Sequence, residues 1–112
     1  MMANLGTEAR IVLTTAASGD EARMLGRTLV EERLAACATL VPTVESIYRW
    51  EGKVETSHET LLLIKTAAGR VEALKARLLE LHSYETPEVL VLPVESGSDG
   101  YLGWLWDSLL KA

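Results

Sequence analysis

Hydrophobic positions along this chain recur with two different periods, and the points where the period changes mark its elements. Residues 1 to 8 follow neither period and read as a loose end. Ile11-Val12-Leu13 followed by Thr14-Thr15 reads as a short buried strand of about five residues. From Ser18 the spacing lengthens. Ala22, Leu25, Leu29 and Val30 predict a helix with one inward face, continued by Leu34, while Glu21, Arg27, Glu31 and Glu32 make the solvated face. Ser18-Gly19-Asp20-Glu21 has the spacing of a capping box, in which the serine oxygen accepts from the Glu21 amide and the Glu21 side chain reaches back. From about Cys37 the pattern is extended through Leu40, Val41 and Val44 to Trp50. Pro42 interrupts it, and a residue that cannot donate to a ladder predicts an edge strand or a bulge. Leu61-Leu62-Leu63-Ile64 is a continuous apolar run, as a central strand buried on both faces requires. Gly69 opens a second helix with Val71, Leu74, Leu78 and Leu81 at helical spacing. The polar loop His82 to Glu88, fixed by Pro87, leads into Val89-Leu90-Val91-Leu92, read as another buried strand that Pro93 ends or kinks. A last helix begins near Ser98-Asp99, either of which can cap it, and runs to Leu110 with Tyr101, Leu105 and Leu109 on one stripe.

The resulting order, β-α-β-β-α-β plus a terminal helix, is the split βαβ arrangement of an α+β, ferredoxin-like fold, with the first and third strands central. The unbroken apolar run falls on the third strand and the proline on the second, which agrees with central and edge positions. The second and third strands form a long hairpin turning at Glu51-Gly52, where glycine permits the positive φ of a tight turn. A two-residue loop sets Trp50 opposite Lys53, Tyr48 opposite Glu55 and Ser46 opposite Ser57, so Tyr48 and Trp50 share a face. Residues 37 to 50 span roughly 46 Å at ~3.3 Å each, against about 17 Å for the first strand, so the hairpin overhangs its sheet. An isolated two-stranded ribbon with exposed aromatics is marginal, which predicts oligomerisation through this arm, with Tyr48 and Trp50 at the interface.

With 112 residues and 48% hydrophobic content, the chain is read as one domain, residues 1–112. The net charge of −5, without a Lys/Arg run, lacks the electrostatic footprint of a nucleic-acid or anionic-membrane binder. Cys37 is the single cysteine, so no internal disulfide framework exists and a reducing compartment is expected. No secretory signal or apolar run of membrane-spanning length is present, and the expected location is the cytoplasm.

Candidate chemistry is thinly spread. His82 follows the second helix, where an imidazole either complements the helix C-terminus or serves as a ligand or acid–base group. Tyr84, Glu85 and Glu88 flank the same loop and could form an acid–base or hard-cation cluster, or a solvated loop with Tyr84 at an interface. Lys65 ends the central run and is expected to pair with a carboxylate, with anion binding as the other use. His58 lies on the ribbon, in a solvated or interface role, and Cys37 reads as a small buried hydrophobe. Trp104 and Trp106 point to different sides of the last helix, for core or interface packing. No histidine or cysteine has a partner at zinc-site spacing, so a metal site must be assembled across the fold or between subunits.

Glu32-Arg-Leu-Ala-Ala-Cys37, Ser46-Ile-Tyr-Arg-Trp-Glu-Gly-Lys53, Leu63-Ile-Lys-Thr66, Leu81-His-Ser-Tyr-Glu-Thr-Pro-Glu88, Leu92-Pro93 and Tyr101-Leu-Gly-Trp-Leu105 resemble, in order, the CutA family of divalent cation tolerance proteins. The resemblance spans about Ile11 to Leu105. It implies a ferredoxin-like protomer in a tight homotrimer, similar in architecture to PII signalling proteins, with hairpins packed across neighbours. It implies a non-enzymatic role in tolerance of copper and other divalent cations, with a cation such as copper as the bound species. Some copper-linked relatives place a cysteine at the end of the first strand and a histidine pair after the second helix. Those positions here are Thr14, Leu81 and His82, so His82 alone carries over as a metal ligand. A second reading is a PII-like signalling module that binds a small anionic ligand in inter-subunit clefts, with Lys65, Tyr84, Glu85 and Glu88 as cleft candidates, and engages a protein partner.

Overall fold

A computed structural model describes residues 8–110 of the protein. Of the loose end expected over residues 1 to 8, all but Glu8 lies outside the described residues. The elements are β1 (Ala9–Ala16), α1 (Gly19–Glu31), β2 (Cys37–Trp50), β3 (Lys53–Ala67), a single 3-10 turn (Ala68–Arg70), α2 (Val71–Leu81), β4 (Leu90–Pro93) and α3 (Asp99–Leu110). All strand pairs are antiparallel in the order β2-β3-β1-β4, so β1 and β3 are central as the apolar runs predicted. The fold is α+β and ferredoxin-like.

Helices α1 and α2 cover one face of the sheet. Val12, Ala16, Leu62 and Ile64 from the strands meet Ala22, Leu25 and Leu29 of α1 and Leu74 and Leu78 of α2 in one buried cluster. Each such Leu or Ile contributes about 1.5–3 kcal/mol on leaving water. Gly26 is also buried in α1, because a side chain there would run into β2: a Cβ would lie 3.1 Å from the Ala38 Cβ. Val30, expected inward, is exposed, since it falls off the stripe that Leu25 and Leu29 define.

Several expectations change at the other face. Leu62 and Ile64 are buried, but Leu61 and Leu63 are only half-buried, because no helix covers most of the side they share. Among the described residues only α3 sits there, over one end, where Leu105 and Leu109 pack with Ala36 and Ala67. Its buried stripe is Leu102, Leu105 and Leu109; Tyr101 is exposed, as are Trp104 and Trp106. The strand expected over Val89–Leu92 as buried is instead the four-residue edge strand β4, with Leu90, Val91 and Leu92 all exposed. Being apolar did not bury it, because its neighbour on one side is β1 and among the described residues no strand pairs with its other edge.

A helix end and a strand bulge explain two of the non-glycine residues in the left-handed region. Arg33, at φ 59, follows α1 in a Schellman arrangement, with its amide bonded to Val30 O and the Leu34 amide to Leu29 O. Glycine is the usual occupant; arginine is kept where its guanidinium donates to Ser108 O at 2.8 Å, and Arg70 donates to Leu109 O at 2.6 Å, so two arginines hold the carbonyl end of α3. Thr43, at φ 58, lies in the register shift between Val41 and Val44, where Pro42 places the expected bulge on an edge strand.

The ribbon matches the predicted register: Trp50 pairs with Lys53, Tyr48 with Glu55 and Ser46 with Ser57, about a turn with Glu51 at φ 49 and Gly52 at φ 80. β1 is eight residues long rather than five and pairs with β3 from Ala9–Ala67 to Ala16–Thr60. Beyond Thr60 seven residue pairs, Val44–Glu59 to Trp50–Lys53, run on with no third strand among the described residues. That overhang is roughly 23 Å, and it accounts for dimensions of 53 × 27 × 22 Å. Replacing Gly26 with valine overfills the contact with Ala38 and is expected to cost about 1–3 kcal/mol in urea unfolding, with the chain still folded in dilute buffer; an unchanged midpoint would show that α1 can move away from β2 freely.

Candidate functional site

The described residues converge chemically at one place, the base of the ribbon, where the loop after α2 reaches β1, β3 and the start of α1. His82 ends α2, and its side chain is fully buried. Its Nε2 lies 2.8 Å from Thr15 O and its Nδ1 3.1 Å from the Tyr84 amide. A ring nitrogen facing a carbonyl must donate and one facing an amide N–H must accept, so these contacts put a proton on Nε2 and the Nδ1 lone pair toward the Tyr84 amide. Sequence reasoning placed His82 at the helix C-terminus correctly, but not its burial, which arises from the Tyr84 ring tilted against it at 4.8 Å.

Glu21 was expected on the solvated face of α1. Half of the capping box forms: Ser18 Oγ accepts from the Glu21 amide at 3.1 Å. The carboxylate reaches back only weakly, to the Ala17 amide at 3.4 Å, because it accepts from the Ser83 amide at 2.8 Å and from Ser83 Oγ at 2.9 Å, with Nδ1 of His82 at 3.7 Å. Burial works against its ionisation, but the Ser83 amide and hydroxyl, the nearby imidazole and the Ala17 amide outweigh it and hold the carboxyl below the usual value.

Glu59 is the more deeply buried of the two carboxylates, Glu21 being half-buried, and periodicity alone gave no signal for it, since it sits within the polar outer half of β3. The Tyr84 hydroxyl donates to Glu59 Oε2 at 2.7 Å, and the Ser46 and Thr15 hydroxyls face the same carboxylate and favour its charged form. Burial again opposes ionisation and those three hydroxyls, with His82 nearby, more than offset it, so Glu59 also stays below the ordinary carboxylate range. Tyr84 is pushed in the other direction: burial, then the hydrogen bond and charge of Glu59, raise its phenol well above 10.0. The phenol is therefore a fixed donor rather than an acid–base group at neutral pH.

The remaining candidates are elsewhere. Glu85 and Glu88 are exposed and make no hydrogen bond or ion pair among the described residues. Lys65 has no carboxylate partner among the described residues, contrary to expectation; its Nζ donates to Thr39 Oγ1 and lies 3.8 Å from Cys37 Sγ, its direct cross-strand neighbour. Burial and the Cys37 thiol raise the Tyr101 phenol beside this group. His58 is exposed on the ribbon, 4.0 Å from its cross-strand partner Glu45. Tyr48 and Trp50 are exposed, and Tyr48 Oη accepts from Ser57 Oγ at 3.3 Å.

These positions fit a metal poorly within one protomer. Both ring nitrogens of His82 already have partners, and a metal there would displace one of them. Thr14 offers a buried hydroxyl with no partner among the described residues, Leu81 offers no donor at all, and among the described residues no three His, Cys, Asp or Glu side chains are grouped to hold an ion. What the cluster does is tie the loop to three strands and a helix.

Both carboxyls titrate below the 4.5 of an unperturbed glutamate, so the stability they confer is complete above that pH and is lost as pH falls through their lower folded values. Urea unfolding is expected to be flat from neutral pH to about 5 and to weaken below 4.5, with a shallower acid limb in Glu21→Gln combined with Glu59→Gln; an identical acid limb would assign acid sensitivity to other groups.

The model of the CutA1 divalent ion tolerance proteins matches residues 10–108. A divalent-cation tolerance protein CutA of Thermus thermophilus is 47% identical over 95 residues, 85% of this chain and 92% of that protein. The crystal structure of CutA from Xylella fastidiosa superposes with a TM-score of 0.89 at 41% identity, covering 91% of this chain and 98% of that one. The periplasmic divalent cation tolerance protein CutA of Archaeoglobus fulgidus does so at 0.87 with 30% identity, covering 90% and 98%. On the extent of these matches, and on a fold they share from β1 to α3, this chain belongs to the CutA1 divalent ion tolerance family.

Proposed function

We propose that the protein serves divalent-cation tolerance as a homotrimer, in the cytoplasm, with copper or another divalent cation bound weakly at the surface or between subunits. The observation that carries assembly is a largely apolar side of the sheet, interrupted by Lys65 and Glu59, which among the described residues α3 covers at one end. Ile11, Leu13, Leu61 and Leu63 are half-buried, Leu90 and Leu92 are exposed beside them, and by register the same side runs out through Val44 to Tyr48 and Trp50. Apolar surface of this extent on both sheet and arm is what association between copies covers. The half-buried thiol of Cys37, without a disulfide partner in the chain, suits a reducing compartment.

Weak rather than caged metal binding follows from the donors: those that are exposed, such as His58 with Glu45 on the ribbon, stand in pairs and not in closed sets. A binding role is preferred to catalysis because the buried imidazole, phenol and carboxylates are occupied by one another. A second reading rests on Lys65, whose ammonium meets a hydroxyl and a thiol and no carboxylate: in a PII-like assembly it would recognise a small anionic ligand in an inter-subunit cleft, with a protein partner on the arms.

Tyr48→Ala combined with Trp50→Ala is expected to lower the native mass at micromolar concentration, and an unchanged mass would remove the arm from the interface. Titration of metal-free protein with Cu²⁺ is expected to give weak saturable binding that survives His82→Ala. Loss of binding in that variant would restore His82 as a ligand; no saturable binding would sink the metal reading. A small anion that raises the melting temperature would favour the second reading, since only a ligand of the folded state does so.

A further inference from the structure

We propose that the Glu21–His82–Tyr84–Glu59 network is a latch that fixes the angle at which the β2–β3 ribbon leaves the body of the protein. The inference starts from where the latch grips. β1 ends at Ala16, opposite Thr60, and Glu59 is the next residue of β3, so it is the first position of the ribbon without a third strand beside it. It is also where β2 re-enters register after the Pro42-Thr43 bulge, at the Val44–Glu59 pair. A two-stranded ribbon that loses its sheet support and carries a bulge at the same level has a natural hinge there.

The polar groups close across that hinge from both sides. On the body, Glu59 accepts from Tyr84 Oη at 2.7 Å and faces the Thr15 hydroxyl. On the ribbon, the Ser46 hydroxyl of the paired strand faces the same carboxylate, so both strands meet the cluster here. Tyr84 is itself immobilised: its amide donates to His82 Nδ1, His82 is anchored to Thr15 O, and the adjoining Ser83 is clamped through its amide and hydroxyl by Glu21 at the start of α1. The chain of contacts runs from ribbon to loop to helix without a solvent-exposed link except Ser83. Past Glu59, Ser57 and Tyr48 join their side chains across the ribbon, but no described hydrogen bond returns from there to the body. Glu59 and Tyr84 are thus positioning residues for the arm.

A stabilising contact of ordinary kind would protect the whole fold, whereas a latch protects the ribbon selectively. Amide hydrogen exchange of the full chain distinguishes these, comparing ribbon amides of residues 44–59 with core amides of residues 61–66 in the wild type, Tyr84→Phe, Glu59→Gln and the milder Ser46→Ala. Ribbon exchange is expected to accelerate by roughly tenfold or more in Tyr84→Phe and Glu59→Gln, and less in Ser46→Ala, with core exchange unchanged. Ribbon rates within twofold of wild type in the first two variants would overturn the proposal, as would equal acceleration of ribbon and core. The consequence for assembly rests on the trimer reading above: a wild-type chain that is monomeric at neutral pH would remove that reading and leave the exchange result to decide the latch alone.

Discussion

β1 is shorter than the strand it supports, and much of the molecule follows from that mismatch. Eight residue pairs hold β3 against β1 up to Thr60, and the seven pairs beyond have no third strand among the described residues. Two strands alone gain too little from pairing to hold a defined direction in water. The buried polar cluster sits at the junction where that support ends. Its carboxylates cost free energy to bury, and the cost is offset by directed donors: the Ser83 amide and hydroxyl on Glu21, and on Glu59 the Tyr84 hydroxyl with those of Ser46 and Thr15 close by. Burial of charge here is therefore better explained by a need for geometry than by a need for stability, which an apolar plug could supply as well.

The same arrangement separates this chain from a metal cage. An imidazole that donates to a β1 carbonyl and accepts from a loop amide has its orientation set from two directions, as a ligand also must, but here neither nitrogen is left for a cation. Membership of a cation tolerance family and the absence of a three-donor group among the described residues are compatible if metal is met by pairs of exposed donors or by groups that come together between copies. The open side of the sheet, the edge strand β4 and the aromatic outer face of α3 are all surfaces on which such meetings can occur.

The ribbon was readable residue by residue in the sequence, because a two-residue turn ending in glycine fixes register by geometry alone, and Pro42 announced the bulge by what it cannot donate. Strand order followed from the same logic. What periodicity misjudged was burial on the side away from the helices: Leu61 and Leu63 are half-buried and Leu90 to Leu92 exposed, and an apolar run in sequence reads the same whether or not the rest of the chain covers it. The site was legible only in part. His82 and Tyr84 stood out in a loop, whereas Glu21 and Glu59 looked like surface acids, because their donors come from residues 62 and 25 positions away.

The central claim is that an uncovered face and an overhanging, fixed arm are two parts of one assembly surface. The most direct measurement is the mass of the unmodified chain in solution by light scattering across a dilution series. The account predicts three times the 12.3 kDa of one chain, held without change down to micromolar concentration; a particle of single-chain mass at neutral pH would contradict it.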